Sequence, residues 1–206
     1  MPNAQKERRV VERRLREENR IPPGQSLTLK FPVLHHGPIP PFTPATWDFR
    51  VWGAVEEEKR WTWDEFESLP RTKVLMDIHC VTAWSKADTL WEGVSVKTML
   101  NAGFFKLKPE AAHVMQHAEY GYTANLPLSV VLQENFLLAT HFDGQPLTPE
   151  HGYPLRGVVG HIPGGGEEET PYFWKGAKWL RSLEFMTEDR LGFWEKAGYH
   201  NRADAW

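Results

Sequence analysis

One cysteine in 206 residues, Cys80, is the tightest constraint on what this chain can fold into. A lone thiol makes no intramolecular disulfide and cannot complete a four-thiolate zinc site, so burial and hydrogen bonding must hold the fold. At this length one domain with a substantial core is expected. A composition of 41% hydrophobic and 25% charged residues excludes disordered, collagen-like and coiled-coil architectures. Independence from disulfides suits a reducing compartment, and a cytoplasmic location is expected. Arg8-Arg9 and Arg13-Arg14 look like twin arginines, but Leu15-Arg16-Glu17-Glu18-Asn19-Arg20 follows instead of the apolar run of an export signal. No stretch approaches the roughly 20 apolar residues of a membrane span. The net charge of -3 gives no global field for nucleic acid, so any anion must be held by a local cluster.

Punctuation divides the chain. Residues 1–20 alternate charges, with Val10, Val11 and Leu15 at near-helical spacing, and predict a short solvated helix or frayed arm. Ile21-Pro22-Pro23-Gly24 ends it. The proline-rich passage from Phe31 to Pro44 can be neither regular helix nor central strand. It reads as an ordered arm on the domain, with Phe31, Val33, Leu34 and Phe42 expected to be buried. Strands are predicted over Trp47–Trp52, Arg71–Ile78 with His79-Cys80 at its end, Ala112–His117, Phe136–His141, Tyr153–Val159 and Arg181–Met186. Thr62-Trp63-Asp64-Glu65 has the capping-box pattern, Ser95 can cap a helix through Leu100, and Asp143-Gly144 marks a turn. Short strands and helices without βαβ alternation indicate an α+β fold. Gly164-Gly165-Gly166-Glu167-Glu168-Glu169 reads as a mobile acidic surface loop.

Two constellations can carry chemistry. Around Cys80, polar Asp77, His79, Thr82 and Ser85 crowd a thiol at a strand end, where it could be a soft metal ligand or a nucleophile; a buried, inert thiol is the plain alternative. Farther on, Arg156, Lys175 and Lys178 stand among glycines and aromatics in His151-Gly152-Tyr153-Pro154-Leu155-Arg156 and Trp174-Lys175-Gly176-Ala177-Lys178-Trp179. Three cations there suggest an anion site, with Gly176 admitting a phosphate to the backbone. Cations snorkelling over tryptophan from the surface are the plain alternative. From these residues alone a metal-dependent oxidoreductase, a cysteine hydrolase or peroxidase, and a non-catalytic binding module built on the ten tryptophans stay open.

Taken together, Asp77-Ile78-His79-Cys80-Val81-Thr82-Ala83-Trp84-Ser85, Trp91-Glu92-Gly93-Val94, Gly121-Tyr122 with Leu126-Pro127-Leu128, and the two cationic segments resemble the molybdopterin-binding domain of the sulfite oxidase family. The similarity runs in order from about Phe31 to Met186. It implies a mixed α+β single domain over residues 25–206, preceded by a charged arm over 1–24, and a mononuclear molybdenum-molybdopterin cofactor without haem. On this resemblance Cys80 matches the cysteine that ligates molybdenum and is the catalytic residue. Arg156, Lys175 and Lys178 match positions holding the cofactor phosphate, with Gly176 and Ala177 between them. His151 matches a polar cofactor contact, His35 and His36 fall near an arm that reaches it, and Ala118 would contribute backbone. The implied activity is oxygen-atom transfer to or from a small substrate such as a sulfur compound, with a separate electron-transfer partner. Val81-Thr82-Ala83-Trp84 stands where sulfite oxidases carry an arginine-bearing segment. The run from Cys80 is closer to the catalytic subunit of bacterial methionine sulfoxide reductases, which argues against sulfite as substrate.

Overall fold

The computed structural model of the protein describes residues 2–165 and 169–206, with residues 2–4 as backbone only. Of the acidic loop expected over Gly164–Glu169, residues 166–168 lie outside the described residues. The chain opens with helix α1 (Pro2–Glu17), in which the predicted arm is regular. Asn19, in left-handed conformation, follows it, and Arg20 N–H returns to Leu15 O, a closure that commonly ends helices. Then come β1 (Ser26–Leu27), β2 (Asp48–Gly53), β3 (Lys59–Thr62), α2 (Trp63–Glu67), β4 (Thr72–Cys80), β5 (Trp84–Val94) and α3 (Val96–Asn101). After these follow β6 (His113–Ala118), β7 (Thr123–Pro127), α4 (Leu128–Val131), β8 (Phe136–Phe142), β9 (Gln145–Pro146), β10 (Arg156–Val159), β11 (Leu180–Met186) and α5 (Phe193–Lys196).

The local signals act as expected where they are self-contained. Thr62 and Glu65 form the reciprocal capping box of α2, and Ser95 caps α3 by accepting from Thr98 N–H. Asp143 and Gly144, both at positive φ, make the turn after β8. The strand expected from Tyr153 begins only at Arg156, since Pro154 has no N–H for a ladder.

Two sheets result. One is six-stranded, ordered β1-β5-β8-β10, with β4 also on β5 and β9 on β8; the other is ordered β3-β2-β11-β6-β7. All pairs are antiparallel except β1 with β5 and β2 with β11. The expected α+β class holds. The main core lies between the sheets, where Phe49, Val51, Val114, Leu183 and Phe185 meet Val94, Phe136, Leu138 and Val159. Sheet one is buried on its other face too, by a second cluster of Met76, Ile78, Trp91, Leu137, Ala139, Val158 and Phe173. This explains the unbroken apolar run in β8, because a strand covered on both faces has no solvent side to alternate toward.

That sheet also closes on itself. Asp77 and His161 exchange two backbone hydrogen bonds, Asp77 N–H to His161 O at 2.7 Å and His161 N–H to Asp77 O at 2.8 Å. They join β4 to the chain just past β10, so that the path β4-β5-β8-β10 becomes a small ring. The N-terminal arm is stitched to the same place. Arg20 pairs bidentately with the fully buried Asp77 at 2.8 Å on both oxygens, and Leu15, Ile21 and Leu27 form one cluster across residue 24.

Candidate functional site

Closure of the ring brings the two sequence constellations together. Cys80 ends β4 and Arg156 begins β10, strands that would be far apart in an open sheet. Continued from Asp77 and His161, the antiparallel register lays the end of β4 beside the start of β10. A cavity of about 370 Å³ opens there, a size suited to one small-molecule ligand. Cys80, Thr82, Arg156, Gly176, Lys178 and Trp179 are among its walls, with Leu34, His35 and His36 of the proline-rich arm and Trp194 and Tyr199 from the end of the chain.

The cysteine end is built by a hairpin. Ala83 N–H donates to Cys80 O, Ala83 sits at φ 66°, and Cys80 pairs with Trp84, which makes Val81-Thr82-Ala83 a three-residue loop closed by a left-handed residue. Ser26 N–H of β1 fixes that residue by donating to Ala83 O. The Cys80 sulfur lies 3.1 Å from Thr82 Oγ1. Among the described residues no histidine or carboxylate has a hydrogen bond to Cys80. His79 faces the other way, its Nδ1 2.9 Å from Ser85 Oγ, which in turn donates to Gln25. Burial holds the His79 imidazole neutral, down to about 3, with His161 adding to the effect.

The cationic end has an unusual charge balance. The Arg156 side chain is buried, donating to the carbonyls of His151, Gly157 and Gly176 and lying 4.3 Å over the Phe173 ring. Lys178 Nζ donates to Glu150 O. Among the described residues no carboxylate is within ion-pair distance of either. Burial therefore pushes Arg156 down to about 9, and burial together with Arg156 pushes Lys178 down to about 7. Gly152 permits this crowding: it has φ +109°, and a Cβ there would stand 3.1 and 3.2 Å from the Cβ atoms of Arg156 and Lys178.

The other expected site residues are placed differently. Lys175 lines no part of the cavity; its side chain is fully buried and its ammonium meets Glu195 Oε1 at 2.5 Å and Asn125 O and Oδ1 at 3.0 Å. Ala177 is fully buried, its N–H held by Gln116 Oε1. Gly176 does reach the cavity, yet its smallness answers to packing, because a Cβ there would meet Gly157 O at 2.3 Å. His151 stacks on Phe31 at 3.8 Å behind the wall, and burial first, then Lys178, pushes it down to about 4. Ala118 ends β6 and is not a wall residue. Of the four apolar residues expected to bury, Phe31 and Phe42 pack on the cores, while Val33 is 50% and Leu34 66% exposed. Leu34 is spent on the cavity wall instead. Sequence reasoning does not reach Trp194 and Tyr199, which line the cavity together with Trp174 of the cationic run; among the described residues the buried Trp174 Nε1 has no hydrogen-bond partner. The tryptophan count was the visible signal, but no spacing linked residues so far apart.

Comparison with known proteins gives this geometry a context. The family described as oxidoreductase molybdopterin binding domain matches residues 36–194. The chain is 45% identical over 192 residues to the uncharacterized oxidoreductase YuiH of Bacillus subtilis, covering 92% of this chain and 91% of that one. It is 24% identical over 215 residues to mitochondrial sulfite oxidase of Rattus norvegicus, covering 88% of this chain but only 38% of the relative. Its fold matches the sulfane dehydrogenase SoxCD from Paracoccus pantotrophus with TM-score 0.61 at 20% identity, over 75% of this chain and 41% of the other.

Proposed function

The chain belongs to the oxidoreductase molybdopterin binding domain family, and from that premise we propose that it is an oxygen-atom-transferring enzyme whose Cys80 ligates molybdenum. The observation that carries this reading is one cavity lined both by the Cys80 thiol and by two cations, Arg156 and Lys178, that have no carboxylate within ion-pair distance among the described residues. A buried guanidinium without a counter-ion is costly unless an anion completes it, and a pterin cofactor ending in phosphate supplies that anion. The residues present fit such a group. Cys80 offers a soft thiolate, and Arg156 and Lys178 would hold the phosphate. When bound, the cofactor supplies the two-electron oxygen-transfer chemistry.

The chain's own part is to place and insulate. The hairpin after β4 holds the sulfur in the cavity, Arg156 fixes the anionic end, and Leu34, Trp174, Trp194 and Tyr199 narrow the access of water. Lys175 serves this arrangement as a clamp: its ion pair with Glu195 fastens α5, and with it Trp194, against β7. No arginine follows Cys80, and the wall beside it carries Val81 and Thr82, which favours a small neutral substrate, such as an organic sulfur compound, over sulfite. We take electrons to pass through a separate partner. A cysteine hydrolase or peroxidase is not favoured, because Cys80 lacks an adjacent base among the described residues. Elemental analysis of protein made in a cofactor-competent host should give about one molybdenum per chain. A well-folded protein that never carries the metal overturns the reading. Cys80→Ser should lose turnover and keep the fold.

A further inference from the structure

The short loop after Cys80 holds a residue to which the resemblance assigned no role. Thr82 sits in the middle of the hairpin loop, exposed on the cavity side, with its hydroxyl 3.1 Å from the Cys80 sulfur. Three constraints hold it there. The loop is closed by Ala83 N–H to Cys80 O, Ala83 takes the left-handed conformation that this loop type requires, and β1 pins Ala83 O through Ser26 N–H. A non-glycine residue at that conformation costs on the order of 1 kcal/mol, so the surrounding bonds must over-determine it. The result is a hydroxyl with no other hydrogen-bond partner among the described residues, aimed back at the sulfur. When that sulfur is ionised or bound to a metal it has no proton to give, and the hydroxyl must be the donor.

We propose that Thr82 is a positioning and tuning residue: its hydroxyl donates a hydrogen bond to Cys80 Sγ and sets how much electron density the sulfur gives to a bound metal. The metal part rests on the proposed function; the hydrogen bond itself does not. A donor to a thiolate ligand withdraws charge and stabilises the reduced, more electron-rich centre, so it raises the reduction potential.

The experiment has a loaded and a metal-free arm. In holoenzyme, the one-electron molybdenum potentials of wild type, Thr82→Val, Thr82→Ala and Thr82→Ser are read by spectroscopic redox titration. The Val and Ala variants should move to lower potential by up to a tenfold change in the redox equilibrium, about 59 mV for one electron, while Ser keeps the wild-type value. In metal-free protein, alkylation of Cys80 by iodoacetamide at pH 7 should be about threefold slower in Val and Ala, because the attacking sulfur loses the hydroxyl that contacts it. Ser should again match wild type. Unchanged alkylation in both Val and Ala, or Ser behaving as they do, overturns the hydrogen bond. Slowed alkylation with unmoved potentials overturns the tuning of the metal. Slowed alkylation in a protein that never takes up molybdenum leaves Thr82 as the partner of the sulfur and removes the molybdenum reading instead.

Discussion

Lys175 and Lys178 stand three residues apart in one run and look interchangeable as candidate anion ligands, yet their surroundings are opposite. Lys175 is buried with a carboxylate, Glu195, and two oxygens of Asn125. Lys178 faces the cavity beside Arg156 with one carbonyl for company. The difference separates a cation paired inside the fold from one left without a carboxylate at the cavity wall among the described residues. Burial depresses the ammonium of both, but at Lys175 the Glu195 contact opposes the effect, whereas at Lys178 the neighbouring Arg156 reinforces it. Charge compensation, more than burial, is what tells the two roles apart.

The comparison can be broken most directly by deleting Lys175. Lys175→Met leaves Glu195 buried without its partner and should cost about 3–5 kcal/mol, or ~10 °C in Tm by calorimetry. Lys178→Met should leave Tm within a few degrees. Equal losses in the two variants would erase the distinction. The double change Lys175→Met with Glu195→Leu should recover much of the loss, since both charges then leave together.

Next in size is the ligand side. Arg156→Gln should weaken binding of the phosphate-ended pterin by about ten- to a hundredfold, the worth of charge-assisted hydrogen bonds, as read by retained pterin fluorescence after gel filtration. Lys175→Met protein that remains folded should hold the pterin better than Arg156→Gln protein does.

Lys178 adds a pH signature. Its ammonium is held down to about 7 in the free protein, and a bound anion raises that value. Below pH 7 the cation is already present and affinity is full. Above pH 7 binding must take up a proton, and affinity should fall by up to tenfold per pH unit until the raised value is passed. Titration with sulfate, whose charge is constant there, across pH 6–8 measures this, and Lys178→Met should flatten it. The smallest effect belongs to an exposed pair such as Lys97 with Glu134, where Lys97→Ala should change stability by less than about 1 kcal/mol.

Legibility followed the reach of each interaction. The end of β4, the capping box at Thr62 and the apolar run of β8 were readable because their determinants lie within a few residues. β5 was not, although it is the longest strand. Its first half, Ser85 to Thr89, is polar, and those residues are occupied by distant partners: Ser85 with Gln25, Asp88 with Arg20, Thr89 with Met76 O. The site divides in the same way. Cys80, Arg156, Lys178, His35, His36 and Gly176 line one cavity, whereas Lys175 could not be sorted from Lys178 without knowing that Glu195 comes back to meet it. Thr82 was visible as a polar neighbour of Cys80, but its aim depends on the turn and on Ser26, which no local pattern reveals.

The seam between Asp77 and His161 makes the ring a gauge. By tying β4 to the chain past β10, that single bridge fixes how the strand ends bearing Cys80 and Arg156 sit relative to each other. A residue inserted between Asp77 and Cys80 would carry the sulfur along by about 3.3 Å unless it bulged out of the ladder, as the strand does between Met76 and Ile78.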